Sequence, residues 1–445
     1  MSTSNSDEGL KRVIGVYALT ISLIGGVIGA GIFALPADVS KSLGAFGVFS
    51  YLFCGIAFAS ILFCYAEIGS RVTTSGGSYA YVEAAFGKFA GFLTNWMYFV
   101  GWGIVGSAAL ENIIADSLAA LFPFLAGPVA RGFLFFILTG ILVVTNIFGT
   151  KEGVGVVKII STIKLLPLFG IMIFGISHIN PANLRWNHVP TVGAFGDVTL
   201  LLFFAFAGFE SCLGASGEIK NPHRTVPLSI CIAGVFVLAA YSILQTVTQG
   251  VLGTQMTVYQ DAPLAAVADK IIGPAGATVL LVCAILSSFG NVGIDLLSTP
   301  RSIFAGANDG LFPKFLGRVH PKYATPYLAV ISYGTLVFLC CLAGGFKELA
   351  LMSSAMILLV YLMVILSTLK LRKKKLEGDD KAFRAPGGLV TPIVGIILIV
   401  WMLSNLHKQE IQPALIFIAF VCILYVFMNW MKKKSDIAAA NQRIS

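Results

Sequence analysis

Long apolar runs and short polar joints alternate along the chain. The runs carry scarcely any internal charge, and Lys, Arg, Asn, Pro and Gly gather at their ends. A helix needs about 20 apolar residues to cross the hydrocarbon layer. The pattern therefore predicts twelve spans, at approximately 13–36, 44–67, 89–122, 130–148, 156–177, 197–217, 226–250, 274–305, 326–345, 348–370, 388–406 and 413–431. Spans three and eight are longer than the layer is thick, so they tilt or project beyond it. The spans fall into a first group of five (13–178), a second group of five (197–370) and a final pair (388–431). Polar tails at 1–12 and 432–445 flank them and read as unstructured.

Composition agrees with lipid as the solvent. Residues are 57% hydrophobic and 11% charged, against about 25% charged in soluble domains. The formal charge of +9 does not point to nucleic acid, because the positive residues sit at span ends. Of the thirty basic residues, only Lys41, Arg131, Arg185, Lys270, Lys347 and Lys408 fall on the outer side when the N-terminus is placed inside. The clusters Arg372-Lys373-Lys374-Lys375 and Lys432-Lys433-Lys434 then face the cytoplasm, as the positive-inside rule requires. Both termini are thus expected inside the cytoplasmic (inner) membrane. No small-residue cleavage site follows the first apolar run, so that run reads as a retained span. The eight cysteines lie in apolar runs without metal-ligand spacing and read as small buried hydrophobes. Neither a metal nor a cofactor is expected.

Chemistry is concentrated where apolar helices are interrupted. Span one holds Gly25-Gly26-Val27-Ile28-Gly29-Ala30-Gly31, and each interior glycine costs a helix about 1 kcal/mol relative to Ala. Close helix–helix contact is one use of such glycines. The other is a break at mid-membrane. There the freed N–H groups of the outer half-helix suit a carboxylate, and the carbonyls ending the inner half suit a cation. Span six repeats the device at Phe204-Ala205-Phe206-Ala207-Gly208-Phe209-Glu210. Each half holds an odd number of spans, so the two enter from opposite sides, as in transporters built from inverted repeats.

Four motifs in register carry a family resemblance. They are the Ile28-to-Phe33 break with its glycines, and the Phe206-to-Glu210 stretch leading into Glu218-Ile219-Lys220-Asn221-Pro222-His223-Arg224. The others are Gly76-Gly77-Ser78-Tyr79-Ala80-Tyr81 with Phe86-Gly87, and Asn308-Asp309-Gly310-Leu311-Phe312-Pro313. Together they resemble the amino acid–polyamine–organocation superfamily over nearly the whole chain. The resemblance implies an all-α polytopic fold of leucine-transporter-like type, with five-plus-five inverted repeats and two extra C-terminal helices. It implies sodium-independent secondary transport of amino acids by alternating access, through proton symport or exchange. A polyamine or amino acid/decarboxylation-product antiporter is the alternative. Implied partners are an amino-acid substrate, the lipid bilayer, protons where coupling uses them, and optionally a second copy of the chain.

By the same resemblance, the substrate carboxylate meets backbone N–H groups around Gly29, Ala30 and Gly31. The ammonium meets carbonyls near Val27, Phe204 and Ala207, and Phe204 is an aromatic gate. Ala30 replaces a serine common in this motif, which removes a side-chain donor. The full substrate-binding expectation is Val27, Ile28, Gly29, Ala30, Gly31, Tyr98, Phe204, Ala207, Gly208 and Asp295. Lys164 lies within span five, where a lysine is functional by default. In sodium-independent relatives such a lysine resembles a replacement for a structural sodium ion, bridging the span-one break and span eight. Glu218, Lys220 and Arg224 read as a cytoplasmic gate network. Glu111 and Asp116 in span three read as facing the outer vestibule.

Asp295 is placed by counting. It lies thirteen residues before Asn308 at the end of span eight, roughly 20 Å of helix in a layer about 30 Å thick. Arginine–agmatine antiporters of the superfamily carry an aromatic residue here. That departure sets the chain apart from those antiporters, and because an ionised Asp at this depth needs a partner, Asp295 is expected to bias the site toward cationic or polar side chains. A channel would need a repeated filter, an enzyme clustered acid or base groups, and an ATP-driven pump a phosphate loop. The sequence shows none of these.

Overall fold

The computed structural model describes residues 14–29, 31–72, 77–148, 164–186, 189–210, 219–308, 313–374 and 383–442. Those residues are almost wholly helical and form no named strand. Seven helical stretches among them are long and apolar enough to cross a membrane by length and composition, and five further apolar helices are shorter.

Span one is two helices, α1 (Val16–Val27) and α2 (Gly31–Leu43), separated at 28–30. The second runs past the expected end at residue 36. Pro36 lies inside this helix, which continues through it despite the lost N–H donor and the crowding of the ring against the carbonyl four residues back. Helix α3 (Val48–Arg71) follows, then a nine-residue helix, α4 (Ser78–Phe86), which the span map lacked. Nine residues reach roughly 14 Å, too short to cross. Span three comprises α5 (Lys88–Trp96), a wider π-wound stretch at Met97–Gly106, and α6 (Ser107–Leu121). Helix α7 (Pro128–Phe148) and the start of α8 (Leu165–Phe174) correspond to spans four and five, although 149–163 lie outside the described residues.

In the second half, α9 (Val192–Leu202) tightens into a single 3-10 turn at Phe203–Ala205 and then unwinds. Helix α10 (Pro222–Leu252) starts on a proline, whose missing N–H costs nothing at a helix start. A second short helix, α11 (Pro263–Ile272), lies between the expected spans seven and eight. Helices α12 (Pro274–Asn308), α13 (Tyr327–Ala343), α14 (Phe346–Arg372), α15 (Val390–Leu403) and α16 (Lys408–Gln442) complete the chain. Residues 432–442, expected as an unstructured tail, continue α16. Ala438, Ala439 and Ala440 are strong helix formers that extend a helix already nucleated.

Lipid exposure is uneven. Phe133, Phe136, Ile137 and Val144 of α7 are exposed, as are Leu415, Phe420, Ile423 and Val426 of α16. In α14, by contrast, Ile357, Leu358, Val360 and Tyr361 are fully buried. The interior therefore gathers around α3, α10, α14 and the interrupted helices, and α7 and α16 form its lipid-facing shell.

One buried ion pair fixes the ends of two core helices. Arg372 at the end of α14 donates through Nε to Glu67 Oε1 at 2.6 Å, and its second nitrogen pairs with Oε2. The Ala385 N–H donates to the same carboxylate at 2.8 Å, and Arg372 also reaches Gly388 O at 2.8 Å. The Glu67 side chain is 1% exposed, so removing its partner strands a charge. Arg372→Met is expected to destabilise the protein by about 3 kcal/mol, read as a fall of several degrees in apparent Tm in detergent. In the double variant Glu67→Gln/Arg372→Met the fall should be much smaller than the sum of the two single losses. Additive losses would show that the pair does not couple α3 to α14.

Candidate functional site

The two interruptions meet in the protein interior. In a continuous helix the Gly29 N–H would bond Gly25 O. Here it turns back to Val27 O at 2.7 Å. That leaves Gly25 O free, and the Lys164 ammonium donates to it at 3.1 Å. Lys164 is 2% exposed, and its charge sits at the negative end of the α1 dipole. Lys164 thus reaches the span-one break. Among the described residues it makes no hydrogen bond to α12.

The span-six break is held from several sides. Gly208 adopts φ +110, which side chains rarely tolerate, and a Cβ there would lie 2.7 Å from Gly26 O. The backbones of the two breaks are therefore in contact. The Gly208 N–H donates to Glu210 Oε2 at 3.1 Å, and the Tyr361 hydroxyl donates to the same oxygen at 2.6 Å. Phe206 packs on Phe58 and Tyr241 at centroid distances of 5.4 and 5.2 Å. Phe209 packs on Tyr65 and Tyr361 at 5.0 and 5.5 Å. This aromatic cage anchors both flanks of the unwound segment.

Tyr241 of α10 ties the breaks together. Its hydroxyl lies 3.0 Å from Val27 O and 2.8 Å from Ala205 O. One hydroxyl has one proton, so two carbonyls from two broken helices share a single donor. The side chain is fully buried.

A cavity opens beside these carbonyls. Span one contributes Gly26, Val27, Gly29 and Gly31 to its wall, and span six contributes Phe204, Ala205 and Ala207. Trp102, Gly106 and Leu110 face them from span three, and Asn291 and Asp295 from α12. Its volume is about 30 Å³, room for about two waters and too small for an amino acid. Phe204 closes it, packed between Trp102 and Phe346 at 5.5 and 5.9 Å. Asp295 accepts a long hydrogen bond from Ser107 at 3.4 Å. Ser107 also meets the Tyr333 hydroxyl at 3.2 Å, and that hydroxyl donates to Gly103 O at 2.7 Å.

Of the expected site residues, Val27, Gly29, Gly31, Phe204, Ala207 and Asp295 line this cavity. Ala30 lies outside the described residues. Ile28 is buried in the apolar core instead, and Gly208 contacts Gly26 rather than the cavity. Tyr98 is also absent from the wall. Trp102, four residues on along the same span, takes the place expected of it, because the cavity lies a turn further from the Lys88 end. Of the expected gate network, Glu218 lies outside the described residues, and Lys220 and Arg224 are solvent-exposed. The described closure there is backbone pairing: the Lys220 N–H donates to Ile14 O at 2.9 Å. Glu111 does not face a vestibule. It is fully buried and accepts from Thr139 at 2.9 Å and from Cys341 at 3.5 Å. Asp116 pairs with Arg131 at 2.6 Å.

The sequence profile of the amino acid permease family matches residues 13–439. The chain belongs to that family. It is similar to a serine/threonine exchanger of Bacillus subtilis (strain 168), 30% identical over 443 residues, covering 97% of this chain and 99% of the relative. It is also similar to a branched-chain amino acid permease of the same organism, at 27% identity with 96% and 94% covered. A methylthioribose transporter of that organism is 27% identical, with 96% and 95% covered. These relatives are transporters rather than enzymes. Membership and the apolar helices make this permease a multi-pass membrane protein of the amino acid–polyamine–organocation superfamily.

The permease's site holds residues that sequence reasoning passed over. Trp102, Leu110, Tyr241 and Tyr361 look like ordinary apolar filling in a chain of this composition. Asn291 is the exception, since an amide four residues before an intramembrane Asp shares its helix face. The contact between the breaks yields a prediction. Gly208→Ala combines backbone strain of about 1–3 kcal/mol with a clash against Gly26 O, and should abolish transport in reconstituted vesicles. Gly15→Ala, where a Cβ meets nothing within 4 Å, should leave transport near the wild-type rate.

Proposed function

We propose that this permease moves α-amino acids across the cytoplasmic membrane by sodium-independent, secondary active alternating access. The observation that carries the reading is the meeting of two interrupted helices at one closed cavity, with Val27 and Ala205 carbonyls turned to a shared donor. Backbone carbonyls at one side and the N-terminus of α2 at the other match an ammonium and a carboxylate on one carbon. The similarity to a serine/threonine exchanger favours exchange over proton symport.

The same reading includes the membrane layout. Spans one to five (13–178) and six to ten (197–370) form two inverted repeats, and spans eleven and twelve (388–431) pack outside them. Both termini and the 371–387 loop face the cytoplasm. Phe204 gates the outer side, and the backbone pairing of Lys220 with Ile14 closes the inner one. The site's own wall supports a preference. Trp102 and Leu110 are apolar, whereas α12 presents Asp295, so side chains that are cationic or donate a hydrogen bond are favoured.

Purified protein in liposomes tests this reading. Labelled L-serine, L-leucine or L-lysine should enter, faster when unlabelled amino acid is inside, and with no requirement for sodium. Absence of uptake for every amino acid, with or without a pH gradient, would sink it. In the same vesicles Asp295→Asn should weaken L-lysine roughly tenfold more than L-alanine, on the scale of a hydrogen bond to a charged group. Equal losses would remove the selectivity role.

Lys164 provides a second check. Removing its ammonium leaves Gly25 O, partly buried, without its donor, a penalty of about 1–3 kcal/mol. It also removes the charge that steadies the end of α1. Lys164→Ala should cut the transport rate tenfold or more, while the yield of folded protein falls much less. Wild-type rates in Lys164→Ala vesicles would reduce the residue to a lysine that merely packs in the span.

A further inference from the structure

The geometry points to Asn291 as a side-chain donor to the carboxylate of the transported amino acid. This assignment rests on the amino-acid reading of the cavity. A carboxylate taken out of water into a membrane-buried site needs several donors to replace its hydration, and the span-one break is short of them. The Gly29 N–H is already turned to Val27 O at 2.7 Å. Ala30 has no hydroxyl to offer. The first N–H groups of α2 at Gly31 remain on that side, while a carboxylate's two oxygens have about four lone-pair sites to fill.

Asn291 stands opposite that deficit. It lies on α12 in the cavity wall. Its amide nitrogen is the nearest atom to where a Cβ on Gly29 would be, 3.0 Å away. Among the described residues its carboxamide makes no hydrogen bond. A carboxamide nitrogen carries two donors, and a packed wall beside a polar break would ordinarily use them. Asp295, one turn along α12, is turned toward Ser107 on the other side of the cavity. The two polar residues of this helix face therefore serve different ends of the substrate. Asn291 meets the carboxylate, which every α-amino acid shares, and Asp295 meets the variable side chain.

The division of labour sets the test. Asn291→Asp keeps the shape and replaces the donor by an acceptor that repels the substrate carboxylate. In proteoliposomes its KM should rise roughly 10- to 100-fold, by the same factor for L-serine and L-leucine, with the maximal rate much less affected. Asn291→Ser, which retains a donor, should recover most of the loss. L-Serinamide, which lacks the carboxylate, supplies the readout that a purely structural role would not separate. As an inhibitor of L-serine uptake it should act equally on wild type and Asn291→Asp. If Asn291→Asp does not fold, Asn291→Ala is read by the rise in apparent Tm on adding ligand. L-Serine stabilisation should be lost and L-serinamide stabilisation retained. An unchanged KM, unequal losses for serine and leucine, or a parallel loss for L-serinamide would overturn the assignment. Failure of wild-type protein to transport any amino acid would instead overturn the transport reading on which it stands.

Discussion

Every backbone polar group buried in hydrocarbon needs a partner, and this fold is organised around the few places where a helix does not supply one. Each break frees carbonyls and N–H groups at a depth where water is scarce. The structure satisfies them with side chains from other elements. Lys164 takes Gly25 O, Tyr241 takes Val27 O and Ala205 O, and Glu210 with Tyr361 steadies the Gly208 N–H. The breaks are thus stable because distant helices are bonded to them. The corollary is that α8, α10 and α14 cannot move far without disturbing the site.

That bonding links packing to transport. Tyr241 shares one proton between two carbonyls, one of which, Val27 O, also accepts the Gly29 N–H; on the proposed reading an incoming ammonium finds these acceptors already desolvated and held in place. Lys164 acts on the same helix end with a full charge. Phe204 caps the cavity through ring contacts alone, and a lid without hydrogen bonds can swing aside at small cost. The polar bonds lie under the site and the apolar ones over it, which is the asymmetry a gate requires.

The sequence disclosed the breaks clearly, since glycines in apolar helices at corresponding places in two halves are costly and therefore informative. Gly29 and Gly208 lie at the two breaks that argument predicted, although Gly208 meets Gly26 rather than the cavity it was expected to line. Asp295 was found by counting residues along one long helix, which works because helical rise is constant. Tyr98 failed because the same counting does not say which turn of span three stands level with the cavity, and the π-wound stretch makes the rise irregular. Tyr241, Tyr361 and Trp102 were illegible for a different reason. In a chain rich in aromatics, a ring whose hydroxyl reaches a carbonyl far away in sequence looks the same as one that fills space. The Glu67–Arg372 pair was hidden similarly, because its partners lie 305 positions apart. The tail beyond residue 431 was misread because polarity was taken for lack of structure, although its alanines extend a helix already formed.

The two kinds of recognition group in the cavity have different consequences for change. Carbonyls at Val27 and Ala205 and the start of α2 belong to the main chain, so substitution cannot alter what they recognise without rebuilding the breaks. The side chains of Trp102, Leu110, Phe204 and Asp295 can be exchanged singly. On the proposed reading, a site of this construction holds the amino-acid backbone by fixed groups and reads the side chain by replaceable ones. Specificity can then shift by one or two residues while the fold and the gating remain as they are. Asn291 belongs with the fixed groups by role and with the replaceable ones by chemistry. It supplies from a side chain the donor that Ala30, standing where a serine is common, does not provide. The donor deficit at the span-one break and the unused carboxamide on α12 are therefore one feature: a hydrogen-bond donor missing from one helix is furnished by its neighbour across the cavity.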